Sequence, residues 1–127
     1  MVDLTTTDGA RITFSPDKVE AVTDRDAADG QAVTCVFGPT PAMLRTSESV
    51  AALINRVGLT GKLALLTQAD GSPIWVNGAA VGSIRAPLPN ERPANIQTVI
   101  QLGSLAPGVQ QSLPETKALL NGHGAAL

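Results

Sequence analysis

Apolar and polar positions alternate over residues 2–6, where Val2 and Leu4 share a side, and over 11–15, where Ile12 and Phe14 do. A period of two is that of a strand with one buried face. Asp8-Gly9 lies between these runs, and Gly readily supplies the positive φ of a tight turn, so the stretch reads as a hairpin. Pro16-Asp17 breaks the return strand, and 18–23 is a further short extended piece carrying Val19, Ala21 and Val22. The acidic, Gly-terminated run 24–30 reads as a surface loop, 32–37 as the most β-prone strand, and 42–45 as a short last strand. Val50, Leu53 and Ile54 then recur at i, i+3, i+4, which predicts a helix over 47–56. Hydroxyls and a carboxylate in 46–49 suit its start, and Gly58 ends it.

After a short linker at 58–61 the pattern begins again. Strands are predicted at 63–68 and 73–77 around Asp70-Gly71, then at 81–85, 96–102 and 109–111, with a helix after Ser112 that docks through Leu119 and Leu120. Residue identities return with the pattern. Leu4, Asp8, Ile12 and Val19 have counterparts 62 positions on in Leu66, Asp70, Ile74 and Val81. Past the loop, Val33, Pro41, Leu53 and Gly58 match Val99, Pro107, Leu119 and Gly124 at a shift of 66. The extra four residues fall in a loop, where insertions are tolerated. The expected fold is therefore mainly β with α (α+β), in two tandem pseudo-repeats. Residues 1–59 form the first, and 60–127 the second with a longer, three-proline loop at 86–95. Each would be a small, strongly bent five-stranded sheet or partly open barrel with one C-terminal helix. Equivalent apolar pairs should form the core: Leu4, Ile12, Phe14, Val19, Val33 and Leu53 with Leu66, Ile74, Val76, Val81, Val99 and Leu119. The tail 122–127 is expected to fray.

Composition sharpens this in two ways. Only Phe14, Phe37 and Trp75 are aromatic, so the core is aliphatic. The net charge is −2, and the nine basic residues are scattered with no two adjacent, which disfavours nucleic acid. A unit of about 60 residues is marginal alone, so a homo-oligomer is expected, built through sheet edges or the Trp75 face. Cys35 is the only cysteine, which excludes an internal disulfide. No apolar run is long enough to span a bilayer. The expectation is a soluble cytoplasmic protein, or one assembled in the cytoplasm into a larger particle.

The pattern carried by Leu4-Thr5, Asp8-Gly9, Ile12, Ser15-Pro16 and 46–54 resembles the FlbD-like family of small flagellar and swarming-motility proteins. Leu66-Thr67, Asp70-Gly71, Ile74, Asn77 and 112–120 carry it a second time. The resemblance implies a small accessory module without catalytic residues. This chain departs from it in being a tandem and in having Gly78 where the first half has Pro16. The hairpin followed by a bent sheet is also loosely similar to Sm-like ring proteins, though the helix lies at the other end.

Candidate chemistry is sparse. His123 sits in a Gly-rich tail, and a solvated histidine is the plainer reading there. Cys35, flanked by apolar residues, reads as a buried thiol rather than a reactive one, although its counterpart at a shift of 66, Gln101, is polar. Asp24, Asp26 and Asp29 lack the terminal Glu and fixed Gly of a calcium loop and read as solvated. Asp8, Gly9, Asp70 and Gly71 are turn residues. No phosphate-binding Gly motif or Cys/His cluster occurs, so no catalytic residue, cofactor or metal is expected. Trp75 is the interface candidate: alternating with Ile74 and Val76, it faces away from them, either covering the other half or anchoring a partner. The leading expectation is a self-associating, non-enzymatic structural or protein-interaction module. It would be a flagellar-type accessory or a phage- or virion-type assembly protein. The alternative is an Sm-like RNA-binding ring built from tandem repeats.

Overall fold

A computed structural model describes residues 1–26, 32–91, 95–103 and 105–127. The chain is mainly β with two α-helices. The first half runs β1 (Val2–Thr5), β2 (Arg11–Phe14), a 3-10 turn (Pro16–Lys18), β3 (Ala21–Asp26), β4 (Ala32–Phe37), β5 (Leu44–Thr46) and α1 (Val50–Val57). The second runs β6 (Leu63–Thr67), β7 (Pro73–Asn77), a 3-10 turn (Gly78–Ala80), β8 (Ser83–Arg85), a further 3-10 turn (Pro89–Glu91), β9 (Thr98–Gln101), β10 (Gly108–Val109) and α2 (Leu113–Asn121). Asp29, Gln31 and residues 92–94 of the proline-rich loop lie outside the described residues. Asp24 and Asp26, expected in a loop, continue β3 instead, with Asp24 opposite Thr34.

The five strands of a half do not make one sheet of their own. β1 and β2 form a two-stranded sheet, β10-β9-β8 a three-stranded one, and β5-β4-β3-β7-β6 a five-stranded sheet that crosses from one half to the other. These sheets are open. In the five-stranded sheet, antiparallel register sets Leu44, Val36, Val22, Trp75 and Leu65 in one row, on one face. The next row, Phe37, Ala21, Val76 and Ala64, faces the other way. Two apolar clusters follow from the two faces. One holds Val22, Val36 and Leu44 with Leu4, Phe14 and α1 residues Val50, Leu53 and Val57. The other holds Ala21, Ala64 and Val76 with Ile100, Val109 and Leu120.

Most of the expected core is buried: Leu4, Phe14, Val19, Leu53, Leu66, Ile74, Val76 and Val99. Ile12, Val33, Val81 and Leu119 are only half-buried. Two of these four, Val33 and Leu119, lie where the spacing of matching elements departs from the shift of 66. Up to the third strand the shift of 62 holds, because Glu20 N–H donates to Phe37 O as Gly82 N–H does to Gln101 O. Those bonds, however, match Phe37 with Gln101, a shift of 64. Thr34 and Thr98 agree, both buried with hydroxyls donating to the carbonyls of Glu48 and Gln111. At that spacing Val33 aligns with Gln97, and Cys35 with Val99 rather than Gln101. The helix caps Ser49 and Ser112 lie 63 apart, so buried Leu53 corresponds to buried Thr116 and not to Leu119. Only past the helices, at left-handed Gly58 and Gly124, does 66 return.

Helix α1 starts later than expected, with Ser49 Oγ accepting from Ala52 N–H. Glu48 is left outside the first turn and pairs bidentately with Arg56, at 2.9 Å for each contact. Arg56 also donates to Asp3 O at 2.8 Å, tying the helix to β1. The guanidinium hydrogen bond holds the Glu48 carboxyl below its ordinary range. The tail does not fray. Asn121 bonds Leu127 through both amide atoms, Ala125 N–H caps Leu120 O, and Ala125 and Leu127 pack on the second cluster.

Candidate functional site

Among the described residues, the feature that organises the molecule is the seam where β3 meets β7. Ala21 lies opposite Val76, Val22 opposite Trp75 and Thr23 opposite Ile74. Asn77 closes the seam: its N–H donates to Glu20 O at 2.9 Å and its Nδ2 to Val19 O at 2.8 Å. Its Oδ1 accepts from Ala79 N–H at 3.1 Å and caps the following turn. Asn77 is 3% exposed, so a polar side chain is held inside because each of its groups is used. Sequence reasoning noted it only as part of a motif. A polar residue ending an apolar run was the one available signal.

Trp75, the interface candidate, is half-buried and packs against the cluster built mainly by the first half. Its cross-strand neighbours are Val22 and Leu65, and Leu65, at the end of the row, is 54% exposed. The indole therefore contributes to the contact between halves, and the exposed apolar surface of this row is at Leu65.

The turn candidates sit at the two hairpin tips. Gly9 (φ 91) and Gly71 (φ 88) take the left-handed conformation, and their N–H groups donate to Thr6 O and Gln68 O at 3.0 Å. Asp8 accepts from the Thr6 hydroxyl and from Ala10 N–H, which lowers its pKa. Asp70 accepts from Ser72 N–H at 3.0 Å and Ser72 Oγ at 2.5 Å. Both aspartates are occupied locally in shaping their turns. Each tip also reaches a last strand: Thr7 N–H donates to Arg45 O at 2.9 Å, and Gln110 N–H to Thr67 O at 2.8 Å.

Two clefts remain. One of about 380 Å³ lies between the first hairpin tip and β5, lined by Thr6, Asp8, Ile12, Met43 and Arg45. The other, about 230 Å³, lies where the turns Pro16–Lys18 and Gly78–Ala80 meet, and Asp17, Lys62, Asn77 and His123 are among its lining residues. His123 Nδ1 donates to Leu119 O at 2.8 Å, since a carbonyl can only accept. Asp17 accepts from the Ser15 hydroxyl, which lowers its pKa. The two side chains are thus each engaged with a neighbour in their own segment. Gly78 is explained here: a Cβ would lie 2.4 Å from His123 O, so the returning tail excludes any larger residue.

Cys35 is free and buried. Beside it, Thr23 is also buried, and its Oγ1 has no hydrogen-bond partner. Among the described residues, no three His, Cys, Asp or Glu side chains converge as metal ligands, and no helix is long and apolar enough to cross a membrane. No family model, curated protein or solved structure matches the chain.

Proposed function

We propose that this chain is a non-enzymatic structural module that acts by associating with itself, built as two copies of one five-strand, one-helix unit. The observation that carries the proposal is the pairing of β7 with β3, in which one half completes its sheet with a hairpin from the other. A unit organised this way is incomplete alone, because it both donates a hairpin and needs one. The strand edge it leaves open is filled only when a neighbour supplies a hairpin, as β6–β7 does for β3.

The FlbD-like resemblance in the turn and core residues supports a small accessory module of the flagellar type. A phage- or virion-type assembly protein has the same physical requirement. Light scattering tests the function directly. The protein should have a mass that is a multiple of 13.0 kDa and should not bind single-stranded RNA at physiological salt. A strictly single-chain mass at high concentration overturns self-association. Tight, salt-sensitive RNA binding replaces the structural reading with the Sm-like one.

A further inference from the structure

The two halves offer their strands unequally. β3 has β4 on one side and β7 on the other, whereas β8 has only β9. β7 has β6 and β3, whereas β2 has only β1. Among the described residues, the outer edges of β8 and β2 are paired with no strand. Were the halves related by a two-fold axis, the β3–β7 pairing would bring a β8–β2 pairing with it in the same chain. Only the first forms, so the relation between halves points onward to another molecule.

We propose that the open edge of β8 receives the β1–β2 hairpin of a second copy of this chain, in the register by which β3 receives β6–β7. This pairing rests on the self-associating function proposed above and names its contact. Carrying the observed pairs over by 62 positions sets Ser83 opposite Phe14 of the second copy, Ile84 opposite Thr13, and Arg85 opposite Ile12. The product is a five-stranded sheet, β10-β9-β8 continued by a foreign β2-β1, with the strand order of the sheet already inside the chain.

The backbone is set for it. Thr6 N–H bonds Ala10 O, so in this hairpin the even positions Ile12 and Phe14 turn their amides towards β1, and Thr13 turns its own outward. Ile100 N–H bonds Pro107 O, so Val99 and Gln101 turn towards β8, and Ile84, between their partners, points its N–H and C=O away. Two unused donor–acceptor pairs thus face outward at matching positions. No proline occupies 82–85 or 11–15 to blunt either edge. Ile84 and Ile12 are half-buried apolar side chains that the added strand would cover. Because the two edges differ, the contact is head-to-tail. It repeats from chain to chain until it closes a ring or runs on as a filament.

Disulfide trapping tests the register. Arg85 and Ile12 of neighbouring chains would face each other as a non-hydrogen-bonded pair, with Cα atoms about 4.5 Å apart, within disulfide reach. Ile12→Cys with Arg85→Cys in one chain should oxidise to a ladder of multiples on a non-reducing denaturing gel. The slipped pair Arg11→Cys with Arg85→Cys should not. Wild type, whose Cys35 is buried, should stay as single chains on the gel. Ile84→Pro, which removes the outward N–H together with a half-buried side chain on the second cluster, should keep the far-ultraviolet spectrum and return the native mass to one chain. An oligomer by light scattering that gives no ladder, or that survives Ile84→Pro, overturns the edge assignment while self-association stands. A single-chain mass for wild type overturns both.

Discussion

β3 and β8 occupy the same place in their halves, yet they live in different surroundings. Ala21, Val22 and Thr23 are buried, with at most 2% of their surface exposed. Ser83 is exposed, and Ile84 and Arg85 are half-buried. The strands follow the same kind of hairpin and turn, and each pairs with the strand after it. What separates them is one additional hairpin, which β3 has and β8 lacks. Burial of β3 is thus conferred by the neighbouring half. β3 can carry the small Ala21 because Val76 packs beside it. β8 carries Ser83 and Arg85, which tolerate water.

Substitutions at matched positions can break this comparison. The largest effect is expected at Leu53, which docks α1 in the first cluster: Leu53→Ala should cost about 2–5 kcal/mol in chemical denaturation. Thr116, its counterpart, is already small and hydrogen-bonded to Gln111 O, and Thr116→Ala should cost about 1 kcal/mol, the loss of one hydrogen bond. Next comes the clamp on the seam. Asn77→Ala strips the buried Val19 carbonyl of its side-chain donor and should cost about 1–3 kcal/mol. Ser15→Ala, at the matching place on the open β2 edge, should shift the single chain by no more than about 0.5 kcal/mol. Equal costs at Asn77 and Ser15 would mean that the seam is not what distinguishes the halves.

Thr23 gives a change of the opposite sign. Thr23→Val keeps the β-branched shape and removes a buried hydroxyl without a partner. It should stabilise by about 1 kcal/mol, read as a higher denaturation midpoint. The smallest effect belongs to the ion pair of Glu48 and Arg56, both partly exposed. Because the folded-state pKa of Glu48 is lowered, its stabilisation is present above the ordinary carboxylate range and disappears as pH falls through the lowered value. Glu48→Gln should therefore cost about 0.2–1 kcal/mol at neutral pH, and the difference from wild type should vanish in acid.

The strands and helices were legible in the sequence because each follows a local rule. Period-two alternation, Asp-Gly tips with a left-handed glycine, and Ser-capped amphipathic helices depend on neighbours a few residues away. Register across the loop was less so. Val33 and Val99 share an identity but not a burial, whereas Thr34 and Thr98 make like bonds, their hydroxyls reaching the carbonyls of Glu48 and Gln111. The crossing of β7 to β3 was not legible at all. Val76 would suit a seam within one half as well as between two, and only Asn77 marks the join. The folded tail was missed for a related reason. Its glycines suggested freedom, but Gly78 and Gly124 allow the return on which His123 and Ala125 pack.

Amide hydrogen exchange at single residues tests the central claim most directly. The N–H of Val22 lies in the seam, while those of Ile84 and Thr13 point to the open edges, so the three report on the two environments side by side. If a second copy completes β8, Ile84 and Thr13 should be protected at high protein concentration and lose that protection on dilution, while Val22 stays protected throughout. Free exchange of Ile84 and Thr13 at high concentration, at the rates of open amides, would contradict the account.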